Sequence, residues 1–363
     1  MQGTGKKMQR YGNGQIAYFA TSFINFEVTN IKFGAGMDRK KHYLVTGGAG
    51  FIGSNLVKKM LEQKDIKITC IDNFDPFYSR QLKLLNLAGI EKHHNFFLLD
   101  IDLDKMTVAE LHHAINEPVD VIIHLAARAG VRPSIADPLG YQRTNILATQ
   151  KLLDFAVERK VEQFVFASSS SVYGINENLP WKEDEKLMPI SPYAMTKLAA
   201  EMAGHVYQKL HHLRFIALRF FTVYGPGQRP DLAIHKFVKA IEKGQPITVY
   251  GDGSTARDYT FVDDIAQGII NAVDYKNTPF EIFNLGNHYA VSLTDLITAI
   301  EKVTGKKAVI NRQPEQPGDV PQTFADISKA QRLLNYQPTT NLEDGLQKFY
   351  AWFRENKEVL LLD

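Results

Sequence analysis

From His42 onward, short and continuously apolar runs alternate with longer stretches whose apolar residues recur at helical spacing. The runs "HYLVTG", "KITCIDN", "NFFLLDID", "VDVIIHLAA", "QFVFASS" and "RFIALRFF" are predicted strands. Between them, "GSNLVKKMLEQ", "NILATQKLLDFAVERK" and "YAMTKLAAEMAGHVYQKL" are predicted helices. Strands that are apolar at every position, rather than at every second one, are covered on both faces. Helices alternating with such strands supply that cover, so the pattern predicts an α/β fold with a doubly wound parallel sheet. After about Thr222 the alternation loosens into "YGPGQRPDLA", "YGDGSTARDYT" and the proline-dense "RQPEQPGDVPQ". Residues 37–222 are therefore expected to form the main sheet domain, to which later segments return, and 223–355 mainly a smaller binding lobe.

The first 36 residues do not join this pattern. "MQGTGKKMQRYGNGQ" is polar, and "IAYFATSFINF" is about half the ~20 residues that a membrane helix needs. Met37 stands directly before the ordered pattern, so residues 1–36 are expected to be a disordered or non-native extension. The balance of 42 basic and 40 acidic residues supplies no bulk charge to draw nucleic acid or anionic lipid. The single cysteine, Cys70, lies in a strand and cannot form an internal disulfide. A cytoplasmic, reducing setting is expected, and the histidines show no metal-ligand spacing.

Chemistry enters at "VTGGAGFIGSNLV", where Gly47, Gly50 and Gly53 lie between the first strand and the first helix. Glycines there let backbone N–H groups approach a pyrophosphate at the helix N-terminus. The spacing is G-x-x-G-x-x-G rather than G-x-G-x-x-G, but the strand–turn–helix context and Asp72 at the end of the second strand support a Rossmann-type dinucleotide site. An acid at that position accepts from the adenosine ribose hydroxyls and repels a 2′-phosphate, which favours NAD over NADP. In "SPYAMTKLAAE", Tyr193 and Lys197 stand at i, i+4 on one helix face. A lysine ammonium close to the phenol favours the phenolate and so makes a base of it.

With these motifs, and with "HLAA", "ASSSSVYG" and "GDGSTARDYTFVDDI", the chain resembles the extended short-chain dehydrogenases/reductases of the nucleotide-sugar epimerase/dehydratase type over roughly residues 42–350. The resemblance implies Ser169, Tyr193 and Lys197 as the catalytic set. It implies a cofactor set of Gly47, Gly50, Phe51, Ile52, Gly53, Asp72, Asn73, Asp100, Ile101, Leu125, Ala126, Ala127 and Asn145, together with Tyr193 and Lys197. Dehydratases of this family carry an Asp-Glu pair where this chain has Ser170 and Ser171, and the decarboxylases place a glutamate at the second position. Without a second proton-transfer group, oxidation at carbon 4 can only be reversed, which implies epimerisation.

"FFTVYGPGQRPD" is most similar to UDP-glucuronate 4-epimerases, which implies substrate contacts from Thr222 and Arg229, the planar fork of Arg229 pairing a carboxylate. The chain departs from that pattern at Gly227, where a bulkier residue is expected. Further substrate contacts are implied for Arg132, Arg257 (to the diphosphate), Asp319 (to the uridine ribose) and Ser169. Each of the charged ones is also readable as a surface charge. The resemblance implies a UDP-sugar substrate and a homodimer through helices near 140–160 and 193–212. The reading is NAD-dependent interconversion of UDP-glucuronate and UDP-galacturonate for polysaccharide biosynthesis. Its rivals are a 4-epimerase of neutral UDP-hexoses and a non-catalytic NAD-binding scaffold.

Overall fold

The computed structural model describes residues 39–314 and 320–362. The N-terminal extension and Asp319 lie outside the described residues. Seven strands form one sheet: β1 (Lys41–Thr46), β2 (Ile66–Asp72), β3 (Phe96–Asp100), β4 (Val121–His124), β5 (Gln163–Ser169), β6 (Arg214–Phe220) and, after three intervening strands, Phe280–Leu285. The intervening strands are β7 (Thr222–Tyr224), β8 (Ile247–Tyr250) and β9 (Ala256–Phe261), which makes Phe280–Leu285 β10. The order is β10-β6-β5-β4-β1-β2-β3, and every pairing is parallel. The chain thus leaves the large sheet after β6 and returns to it with β10.

Two-residue periodicity sends neighbouring side chains to opposite faces. Val45, Ile123, Val165, Ile216 and Leu218 pack on one side, with the helices Phe51–Met60 and Val262–Asp274. Leu44, Ile122, Phe164, Phe166 and Phe215 pack on the other, with the helices Ala148–Glu158 and Pro192–His211. Cys70 is fully buried in the first of these layers, where burial pushes its thiol up, so it serves as a small hydrophobe. The strand order reverses between β1 and β4, and ligands of such sheets bind at the strand ends of that crevice.

The remaining strands, β11 (Ala290–Ser292), β12 (Ile310–Gln313) and β13 (Gln322–Thr323), join the small sheets. β9 pairs with β7, β11 and β13, and β8 pairs with β12. Among the described residues, no helix is long and apolar enough to cross a membrane. One predicted helix starts differently from its pattern. "NILATQ" begins inside a π-helical turn, Arg143–Leu147, before the α-helix proper. Asn145 lies within this turn and is buried.

Candidate active site

A cavity of about 520 Å³ opens at the C-terminal ends of β1, β2, β4 and β5. Its floor is the glycine turn. Gly47 has φ +73, and a Cβ on Gly53 would lie 2.2 Å from the Gly47 carbonyl oxygen, so no other residue fits this approach. The helix Phe51–Met60 has Gly50 as its N-cap, with no side-chain cap and no acid in its first turn. Its first N–H groups and its positive dipole end therefore suit an anion. Asp72 is buried at the end of β2, where its carboxylate accepts from Ala49 N at 3.1 Å and Phe74 N at 2.9 Å. A third partner is Lys83 Nζ, 3.3 Å away. A carboxylate has about four acceptor positions, so three are already engaged by the protein.

Ser169 ends β5, and its neighbour faces the other way. The Ser168 hydroxyl donates to the buried Glu201 carboxylate, while the Ser169 oxygen accepts from Ser171 N at 3.2 Å and caps a short 3₁₀ turn. Ser168, Ser169 and Ser171 all border the cavity, the Ser168 hydroxyl being taken up by Glu201. Ser169 lines the cavity beside Tyr193, and Ser171 follows from the turn.

Tyr193 rises from the first turn of the helix Pro192–His211, capped by Ser191, whose oxygen accepts from Ala194 N. Burial raises its phenol above the ordinary tyrosine range, against a hydrogen bond with Ser169 and the positive charge of Arg229, both of which favour the phenolate. Lys197 stands one turn on, but its ammonium donates to the Ala167 carbonyl at 2.7 Å and lies over the Phe166 ring. Burial lowers Lys197 to about 7, opposed by Glu201. The helical spacing holds, and Arg229 adds a second positive charge that favours the phenolate. The lysine's rotamer turns its charge to the strand backbone.

Arg229 lines the same cavity and is held bidentately by Asp231, Nε to Oδ1 at 2.9 Å and Nη2 to Oδ2 at 2.8 Å. Thr222, the first residue of β7, lines the wall beside it. Gly227 has φ +80, and a Cβ there would lie 2.8 Å from Asn86 Oδ1. The backbone conformation therefore demands glycine where a bulky residue was expected.

Most of the residues singled out in the sequence converge here. Gly47, Gly50, Phe51, Ile52, Gly53, Asp72, Asn73, Ile101, Leu125, Ala126, Ala127, Ser169, Tyr193, Lys197, Thr222 and Arg229 all line the cavity. Four do not. Asp100 ends β3 in an exposed ion pair with Arg80 at 2.6 Å. Asn145 is buried behind the wall, where it accepts from Arg128 N at 2.8 Å and donates to Arg128 O at 3.0 Å; it shapes the cavity through that backbone. Arg132 is exposed with its guanidinium over the Tyr250 ring, and Arg257 donates to the Ala256 and Pro321 carbonyls. Asp319 lies outside the described residues.

Phe77, Tyr78, Lys83, Arg128 and Tyr141 also line the cavity; the first three belong to the aromatic-rich stretch after Asp72, which resembles a loop of the uronate epimerases and also reads as packing, and none of the five stands out singly as a site residue. The aromatic cluster in "DNFDPFYSRQLK" is visible as text, and Arg128 stands four residues before Arg132 in "AARAGVRPS". Nothing local tells which arginine faces inward, or that Lys83 reaches Asp72.

The family of GDP-mannose 4,6 dehydratase matches residues 44–349. A UDP-glucuronate 4-epimerase of Thermodesulfobacterium geofontis is 39% identical over 325 residues, 88% of this chain and 98% of that protein. Among solved structures, the UDP-glucuronic acid 4-epimerase of Bacillus cereus in complex with UDP-glucuronic acid and NAD is 39% identical. It superposes with a TM-score of 0.82, covering 86% of this chain and 99% of that one. The UDP-glucose 4-epimerase of Thermotoga maritima, with UDP-glucose, is 29% identical with a TM-score of 0.80, over 87% and 99%. A seven-stranded parallel sheet, a glycine turn at its switch point, and a match over most of the chain's length make one conclusion: the chain belongs to the GDP-mannose 4,6 dehydratase family of extended short-chain dehydrogenases/reductases.

Proposed function

We propose that this chain is an NAD-dependent 4-epimerase of a UDP-uronic acid, interconverting UDP-glucuronate and UDP-galacturonate through a 4-keto sugar. The observation that carries the reading is the sharing of one cavity by Ser169, Tyr193 and Arg229, with the Arg229 charge acting on the phenol. The relatives from Thermodesulfobacterium geofontis and Bacillus cereus point the same way.

Gly47, Gly50 and Gly53 with the first turn of Phe51–Met60 would hold the cofactor pyrophosphate, Asp72 its adenosine ribose and Lys197 its nicotinamide ribose. When bound, NAD supplies the acceptor, and later the donor, of the hydride exchanged with carbon 4. Tyr193 takes the proton of the 4-hydroxyl and returns it after the keto sugar has turned over, while Ser169 holds the same oxygen by a hydrogen bond. Arg229 and Thr222 receive the sugar carboxylate. Holding it out of alignment with the 4-keto π-system restrains loss of carbon dioxide.

Elimination would need a second proton-transfer acid beside Ser169. Among the described residues that line the cavity, the carboxylates are Asp72, at the end of β2, and Asp75, Asp102 and Asp104, on the loops after β2 and β3, and Asp75 is engaged by Phe77 N. That supports epimerisation over dehydration.

The segment 223–355 is read as mainly the nucleotide-sugar lobe. Leu139, Leu147, Met202, Val206 and Leu210 are exposed on the helices near 140–160 and 193–212, an apolar face suited to a second copy in a homodimer. Light scattering after gel filtration tests that assembly. A cytoplasmic role in supplying sugars for polysaccharide completes the reading.

The neutral-hexose reading draws on Asp231, which offsets the Arg229 charge. The decisive experiment is incubation with UDP-glucuronate and no added NAD, followed by separation of the nucleotide sugars. Formation of UDP-galacturonate supports the reading. Turnover of UDP-glucose alone transfers it to neutral hexoses, and NAD binding without any turnover ends it.

A further inference from the structure

Three aromatic residues follow Asp72 in the loop before the helix Arg80–Leu87, and their fates differ. Phe74 is buried beneath the Arg80 guanidinium, 3.9 Å from the ring centroid, and Tyr78 is half-buried with Lys83 Nζ 5.2 Å from its ring. Phe77 is 44% exposed at the cavity wall, yet its ring centroid lies 5.4 Å from the guanidinium carbon of Arg229. An apolar ring left that open contributes little to the core. What it does cover is one face of a cation.

The same cation is gripped on an edge. Asp231 occupies the Nε–Nη2 side of the fork, so the edge suited to a second bidentate carboxylate is Nη1–Nη2. A planar group held by one face and one edge has its plane defined. Because Asp231 formally neutralises Arg229, selection of a carboxylated sugar over a neutral one depends on hydrogen-bond geometry more than on net charge.

We propose that Phe77 is a specificity-determining positioning residue: its ring, with Asp231 on the adjoining edge, sets the plane in which Arg229 meets a substrate carboxylate. This rests on the reading that Arg229 receives the sugar's carboxylate. It also links the two halves of the cavity, since the loop that starts at the cofactor-side acid Asp72 ends by orienting the sugar-side arginine.

The test uses the full chain and calorimetric binding of UDP-glucuronate, UDP-glucose and UDP to the wild type, Phe77→Leu, Phe77→Tyr and Arg229→Leu. Phe77→Leu keeps an apolar side chain and loses the π face. It is expected to weaken UDP-glucuronate about fivefold while UDP-glucose and UDP change by less than about twofold. In turnover the loss appears in KM, with kcat nearly unchanged, and Phe77→Tyr restores wild-type behaviour. If Phe77→Leu leaves UDP-glucuronate unchanged, or weakens all three ligands alike, while Arg229→Leu removes the preference for the uronate, the role of Phe77 is overturned and the proposed function stands. If Arg229→Leu leaves that preference intact, the carboxylate contact itself is wrong, and the inference falls with it.

Discussion

Lys83 and Asp72 form a buried ion pair, Nζ to Oδ1 at 3.3 Å, with side chains only 7% and 5% exposed. The acid proposed to face the adenosine ribose is therefore partly compensated by a cation of the chain itself. Removing the ammonium with Lys83→Met leaves that carboxylate more strongly negative toward a 2′-phosphate. The ratio of NADP to NAD dissociation constants should rise, on the order of tenfold for a charge a few ångström away in a partly buried site. Fluorescence titration of the two cofactors measures it; an unchanged or falling ratio would show that the Lys83–Asp72 pair does not govern the choice between the two cofactors.

Tyr193→Phe removes the proposed proton acceptor and leaves its ring packing, including the edge contact with Tyr141 at 6.3 Å. Epimerisation should fall by roughly 10²- to 10⁴-fold, the usual worth of a positioned acid–base group, with the melting temperature little changed. Initial rates with UDP-glucuronate decide it, and a rate near that of the wild type would falsify the assignment.

A pH profile tests the contribution of Arg229 to the acidity of the phenol. Burial raises Tyr193, and the Arg229 charge pulls it back toward the phenolate. In Arg229→Leu that pull is gone, so the phenol titrates higher still and the rising limb of kcat moves to higher pH. The profile measured at saturating substrate reports the shift. A limb that stays in place would mean that the bound cofactor alone sets the phenol's acidity.

Glu201→Gln tests the support behind the site. Glu201 is fully buried and accepts from Arg219 Nε at 3.0 Å and Nη2 at 2.8 Å as well as from Ser168, the neighbour of Ser169 on β5. Losing the negative partner strands a buried guanidinium, at a cost of about 3–5 kcal/mol. Urea denaturation should show that loss. A change under about 1 kcal/mol would mean that Tyr173 and the Glu183 carbonyl, the other acceptors of Arg219, suffice.

Lys197 has a folded-state value of about 7 against an ordinary 10.5. Between those values the unfolded chain binds a proton that the native chain does not, so this group makes the fold more stable as pH rises through the window. The melting temperature of the wild type, relative to Lys197→Met, should climb from pH 7 to pH 9.5, about the span before tyrosines begin to titrate. A constant difference across that range would show that Lys197 stays protonated in the fold.

The apolar runs and their separation by helical stretches determined the parallel sheet, because both periodicities are local and survive any detail of packing. The glycine turn and the i, i+4 placement of Tyr193 and Lys197 were legible for the same reason: backbone geometry over a few residues dictates them. Tertiary structure alone decided where the charges point. Lys197 and Tyr193 share a helix face, but a flexible four-carbon stem let the ammonium turn to Ala167. Arg128 rather than Arg132 lines the cavity, and Arg257 folds back on neighbouring carbonyls. Asn145, inside a π turn, bonds to the backbone of Arg128 behind the cavity wall. Phe77 meets Arg229 across some 150 residues of chain, as does Lys83 with Asp72 across eleven. Such pairings depend on how elements pack and which rotamers that packing permits, and residue spacing carries no record of either.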